Sequence, residues 1–264
     1  MDKAGKAYWD ERWQDGPLPK AVNPRQRGLN NYVDQQFHEY FTDIFSSFDT
    51  KGKKLLEIGC ARSAWLPYFA EEFGFEVWGV DYSALGCEQA RHILVNEGVK
   101  GRVVFTDFFS PPPELIGTFD VVVSFGVVEH FLNTSDCISA FGRFLQAGGL
   151  MITSVPNMSG LNGSLQKLLA RAVFDIHVPL NQEALAEAHR RGGLTVSSCQ
   201  LFLPINLSVV NIENLRGSVR YAMITRLNWW LTKLVWAVES LAPVIRPNAW
   251  SSPYINCLAR KPWA

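Results

Sequence analysis

Asp81 closes the apolar run FEVWGVD, and a carboxylate at that place can accept both hydrogens of a ribose 2′,3′-diol. Gly59 stands 22 residues earlier, at the end of KKLLEIG, where the missing side chain lets a ligand approach the turn closely. An Asp or a Gly also ends a strand for the sake of the turn alone. Glu57 adds a sign to the pair. An acid before the turn would repel a pyrophosphate and favour an ammonium or a sulfonium. A nicotinamide cofactor calls for G-x-G-x-x-G. Here Gly59, Cys60, Ala61, Arg62, Ser63 and Ala64 follow one another, so the later glycines are missing. The residues point to a nucleoside cofactor that carries a methionine-like cation.

Two histidines are placed to move a proton. His130 follows FDVVVSFG, and His177 precedes LNQEALAEAHRRGG at the mouth of the same sheet edge. An imidazole has the pKa range of a general base near neutrality. His177 is read as base or acceptor orienter, and His130 as base or as the pin of its loop. His38, His92 and His189 fall within helical patterns and read as surface or packing residues. No H-x-x-x-H spacing occurs, so no metal site is expected.

These residues need a scaffold, and its rhythm is readable. From Lys53 the chain alternates. KKLLEIG, FEVWGVD, GRVVFTD, FDVVVSFG and LMITSVP read as strands, separated by WLPYFAEEFG, SALGCEQARHILVNEG and TSDCISAFGRFLQAGG as helices, the last with Thr134 or Ser135 as its cap. The almost wholly apolar FDVVVSFG expects helices on both sheet faces. A short helix follows Pro156, then a helix capped by Asn181 and stopped at Gly192, then the strand LTVSSCQLFLP, and SPYINCLARK as the last strand. The sum is a doubly wound, mostly parallel seven-stranded α/β sheet. Residues 1–50 form a helical cover over it, and residues 51–264 the α/β domain, with a helical insertion at 205–251 before the last strand. The strand ends then gather Glu57, Gly59, Cys60, Asp81, Tyr82, Asp107, Phe108, Phe125, Val127, Glu129 and His130 at one edge.

LLEIGCARSAWLPYFA, VWGVDYS, FTDFF, FDVVVSFGVVEHF and AGGLMITSVPN, in that order and spacing, resemble the class I S-adenosylmethionine-dependent methyltransferases, nearest to the small-molecule branch that includes quinone biosynthesis. The resemblance implies that Glu57 and Gly59 hold the methionine part and Asp81 the ribose. It implies adenine at Asp107 and Phe108, and the methyl-donor end at Phe125, Val127, Glu129 and His130. It implies S-adenosylmethionine as cofactor, S-adenosylhomocysteine as product, and a small-molecule acceptor. The usual loop is E-x-G-C-G-x-G, and this chain has Ala61 and Ser63 at the later glycine positions. The opening YWDERW resembles the thiopurine-type enzymes, where such a segment folds over the cofactor. The alternatives are aromatic anchoring of a helix for that segment, and for the whole chain a noncatalytic partner of the same fold or a nicotinamide oxidoreductase.

Composition narrows the partners. With 25 basic and 25 acidic side chains, nothing draws the whole chain to nucleic acid. SFGVVEHF stands where a base-methylating enzyme would show Asn/Asp-Pro-Pro-Tyr. The charge is unevenly spread: residues 1–150 hold 14 basic and 20 acidic groups, residues 151–264 hold 11 and 5. Five scattered cysteines without a C-x-x-C pair argue against a disulfide framework, and the opening residues lack the apolar stretch of a signal peptide. A cytoplasmic protein is expected. The insertion carries Trp229, Trp230 and Trp236 among Arg216, Arg220, Arg226, Lys233 and Arg246. It reads as a lid over a hydrophobic or aromatic acceptor, a homodimer contact or a peripheral membrane contact.

Overall fold

The computed structural model describes residues 1–14, 16–242 and 244–263. Its central sheet holds β1 (Lys54–Ile58), β2 (Glu76–Asp81), β3 (Gly101–Phe105), β4 (Phe119–Phe125), β5 (Leu145–Pro156), β6 (Thr195–Phe202) and β7 (Tyr254–Arg260). The spatial order is β3-β2-β1-β4-β5-β7-β6, and β7 alone runs antiparallel to its neighbours. The expected mostly parallel, seven-stranded sheet is what forms. Strand order reverses between β1 and β4, which opens a crevice at their carboxyl ends.

Helices cover both faces, and the side-chain alternation of the strands sorts them. On one face Leu56, Ile58, Val122 and Met151 pack with α5 (Thr134–Phe144) and α8 (Gln182–Arg191). On the other, Leu55, Val77, Val121, Val123 and Ile152 pack with α2 (Tyr32–Phe45), α3 (Trp65–Phe73) and α4 (Ala84–Asn96). α2 supplies Phe37, Phe41 and Phe45, one per turn, so the N-terminal cover is anchored by an aromatic stripe. Its first helix, α1 (Lys6–Arg12), buries no residue.

Three boundaries differ from expectation. TSDCISAFGRF is helical, but the chain leaves the helix at Phe144, and LQAGG belongs to β5, with a register shift between Phe119 and Val121. The α5 cap falls on Asn133, which bonds Asp136. The Thr134 hydroxyl instead donates to the Phe131 carbonyl. The 157–179 connection holds two helices, α6 (Leu161–Leu169) and α7 (Arg171–Asp175), parted at Ala170. Asn181 caps α8 as expected, accepting from the Ala184 N–H, and Gly192 ends it. The 205–251 insertion is built on α9 (Val219–Leu241), 23 residues long. Among the described residues no helix is long and apolar enough to cross a membrane.

Candidate cofactor and active site

The turn after β1 is shaped by its own glycine and by two glycines of neighbouring elements that make room for it. Gly59 has φ of 79°, and a Cβ there would lie 2.5 Å from Val127 Cγ2, so both backbone and space demand glycine. Its N–H and that of Cys60 donate to the Val80 carbonyl, tying the turn to β2. Cys60 points into the room left by Gly79, where a Cβ would stand 2.5 Å from Sγ. Ala61 occupies a glycine position of the usual loop, and Gly86 of α4 makes space for it: a Cβ on Gly86 would come within 2.5 Å of the Ala61 methyl. Arg62 adopts φ of 55°, and its guanidinium donates to the carbonyls of Trp13 and Pro17 in the N-terminal cover.

Ser63, the second departure from that loop, joins two tasks. Its Oγ donates to Glu57 Oε2 at 2.5 Å and accepts from the N–H groups of Trp65 and Leu66, which satisfies the start of α3. Burial pushes the Glu57 carboxyl up to about 8, against the pull of the Ser63 bond, and the Asp81 charge adds to the rise. Asp81 Oδ2 accepts from Ala61 N–H at 3.0 Å, and Oδ1 from Ser83 N–H at 2.8 Å. Burial still raises it to about 6.

A cavity of about 420 Å³ lies above this turn. Glu57, Gly59, Asp81, Tyr82, Phe108, Phe125, Val127 and His130 line it, as do Asp2, Trp9, Trp13 and Trp65. Four expected residues stand outside its wall. Cys60 faces Gly79. Asp107 is exposed and accepts from the Phe109 N–H. Glu129 and His177 sit behind His130, buried. The aromatic roof comes from the N-terminal segment, which is pinned at many points. Asp2 bridges Phe131, Lys3 N–H donates to the His130 carbonyl, Tyr82 OH donates to Asp2 Oδ2 at 2.8 Å, and Ser83 Oγ donates to Asp10 Oδ1 at 2.6 Å. Trp9 packs edge-on to His130 and stacks on Trp13. Of the two interpretations of YWDERW, the placement is that of a segment folded over the cavity.

The turn after β4 carries the second cluster. His130 Nδ1 lies 3.0 Å from the Ile176 carbonyl, and His177 Nδ1 lies 2.6 Å from the Val173 carbonyl. A carbonyl only accepts, so each Nδ1 carries a hydrogen and donates it. The rings are 4.6 Å apart. Burial, then the neighbouring His130, holds His177 down at about 4, so it is neutral at ordinary pH. Glu129 Oε1 is 3.9 Å from His130 Nε2, and Oε2 has no partner among the described residues. Glu129, His130 and His177 bring one ligand atom each within 4.8 Å of one another. The spacing rule could not see this set, because 47 residues separate its two histidines.

A second cavity, of about 490 Å³, shares Trp13 and Arg62 with the first. It is lined by Arg12, ion-paired to Glu213, and by Asn211, Asn214 and Arg216 from the segment that leads into α9.

The sheet order, its one reversed strand and a cavity at the β1/β4 switch define the fold of the class I S-adenosylmethionine-dependent methyltransferases. A methyltransferase domain model matches residues 27–198, and the chain belongs to that family. It is 28% identical over 167 residues to a ubiquinone biosynthesis O-methyltransferase of Caulobacter sp. (strain K31), covering 63% of this chain and 65% of that protein. The counterpart from Roseobacter denitrificans is 29% identical over 154 residues, covering 57% and 58%. The matches thus span about three-fifths of these curated relatives. Among solved structures, geranyl diphosphate C-methyltransferase from Streptomyces coelicolor, in complex with Mg2+, geranyl diphosphate and S-adenosyl-L-homocysteine, superposes with a TM-score of 0.59 at 14% identity, covering 97% of each chain.

Proposed function

We propose that the chain transfers a methyl group from S-adenosylmethionine to a small hydrophobic or aromatic acceptor. The observation that carries this reading is the cavity at the switch point, with Glu57, Gly59 and Asp81 on one wall and His130 on another. The residues fit the cofactor. Asp81 is the partner for the ribose diol, Tyr82 lies beside it, and Glu57 with the Gly59–Cys60 turn faces the methionine ammonium and carboxylate. Asp107 and Phe108 border the adenine place. Phe125 and Val127 line the methyl-donor end, and Glu129 is buried behind it.

The sulfonium supplies an already activated methyl group, so the protein's work is alignment and exclusion of water. Trp9, Trp13 and the pinned N-terminal segment exclude water from above. His130, whose ring lines the cavity, is the group to take a proton from the acceptor. His177, packed behind it, positions that ring. The acceptor enters between the N-terminal cover, the 157–179 connection and the start of the 205–251 insertion, where Arg216 suits an acceptor with a carboxylate or phosphate. Five cysteines, all free and four of them buried, support a reducing, cytoplasmic setting. The outward face of the insertion is a contact surface for a membrane or a second copy.

Calorimetric titration with S-adenosylhomocysteine tests the reading. The expected result is micromolar binding that Asp81→Ala removes, followed by an acceptor screen for products heavier by one CH2. A folded protein that gives no heat would refute it and leave a noncatalytic protein of the same fold.

A further inference from the structure

α9 has two apolar faces, and the fold uses one of them. Toward the protein, Trp236 is buried, stacks on Tyr32 and donates from Nε1 to the Ile205 carbonyl, while the Thr232 hydroxyl accepts from the Leu207 N–H. Toward solvent, Met223, Leu227, Trp230, Leu234, Val238 and Leu241 follow one another at steps of four and three residues. They form one stripe along the helix, each 45% to 89% exposed. A helix apolar on both sides is a helix covered on both sides.

Charge selects the cover. Arg220 and Arg226 flank the stripe, Arg216 precedes the helix and Arg246 follows it; none makes an ion pair among the described residues. The one acid on α9, Glu239, is engaged, accepting from the N–H groups of Val244 and Ile245. Two copies meeting stripe to stripe would oppose like charges with no acid between them to answer. Trp229 and Trp230, packed edge to face and both exposed, are side chains suited to a headgroup layer. Arg220, Arg226, Lys233 and Glu239 keep the helix from crossing a bilayer.

We infer that α9 lies in the surface of an anionic lipid bilayer, with the Met223–Leu241 stripe in the acyl boundary and Arg220, Arg226 and Arg246 among phosphate headgroups. The inference stands independently of the reaction. The segment entering α9 lines the second cavity, so this docking sets the site's polar mouth beside the membrane.

Co-sedimentation of the full chain with vesicles tests it. The chain pellets with phosphatidylcholine vesicles that contain phosphatidylglycerol and stays in solution with phosphatidylcholine alone, and added salt weakens the binding. Arg220→Gln and Arg226→Gln each lower the partition about fivefold at low salt. The double variant Trp230→Glu, Leu234→Glu abolishes it while S-adenosylhomocysteine binding, the control for folding, is unchanged. Sedimentation equilibrium without lipid gives a monomer. A dimer that Leu234→Glu dissociates would overturn the inference in favour of a second copy, and failure of the wild type to pellet with anionic vesicles would overturn it outright.

Discussion

Glu57 and Ser63 set the charge of the cofactor turn. With its carboxyl raised to about 8 by burial, Glu57 carries a proton at neutral pH. An ammonium placed beside it favours the carboxylate, so binding must expel that proton. S-adenosylhomocysteine affinity should therefore rise as pH goes from about 6 to about 8, by at most tenfold per unit. Titration at neutral pH in buffers of different ionisation heat should show close to one proton released, and none for Glu57→Gln. Heats that do not depend on the buffer would contradict this. That Glu57, Gly59 and Asp81 would meet at one place, the wall of the first cavity, was legible because the ends of apolar runs mark the sheet edge. The Ser63 bond was not, since the usual loop has glycine there. Nor was the His130–His177 contact, which depends on where two loops come to rest.

At the scale of elements, the β1 turn and α4 share the room for one methyl group. Ala61 stands where the related loop has glycine, and Gly86 supplies the missing space. Gly86→Ala should cost about 1–3 kcal/mol through overpacking. Adding Ala61→Gly should recover most of it, which urea unfolding of the two single variants and the double variant would measure as a coupling energy. Simple additivity would show that the two positions are independent. The strands and their intervening helices followed from hydrophobic period. The end of α5 did not, because AFGRFLQAGG suits a helix locally until the bulged pairing of β5 with β4 claims Leu145. α9 was legible as a helical insertion. Which of its faces stays bare was not, since both carry tryptophan and leucine.

At the scale of the whole molecule, stability depends on histidines folded in neutral form. His189 is fully buried, Nδ1 against the Leu185 carbonyl and Nε2 against the Thr153 hydroxyl, and burial holds it at about 4. Its unfolded value is about 6.5. Between those values the unfolded chain binds the extra proton. The contribution is therefore complete above about pH 6.5 and falls away toward about pH 4, by about 2 kcal/mol at pH 5. The raised carboxyls of Glu57 and Asp81 act in the opposite sense, their contribution being lost as pH rises. Comparing the urea midpoints of wild type and His189→Gln across this range isolates the histidine. An advantage of the wild type that does not shrink with acid would refute the assignment. The order of the strands also has a meaning in time. Every described residue lining the first cavity falls between Asp2 and Phe131, whereas β6 pairs only with β7. During synthesis the cofactor half of the site is complete in sequence while the sheet still has an open edge, which waits for residues 254–260 to slot between two strands made earlier. Ligand present at that stage would meet a finished cradle in an unfinished protein.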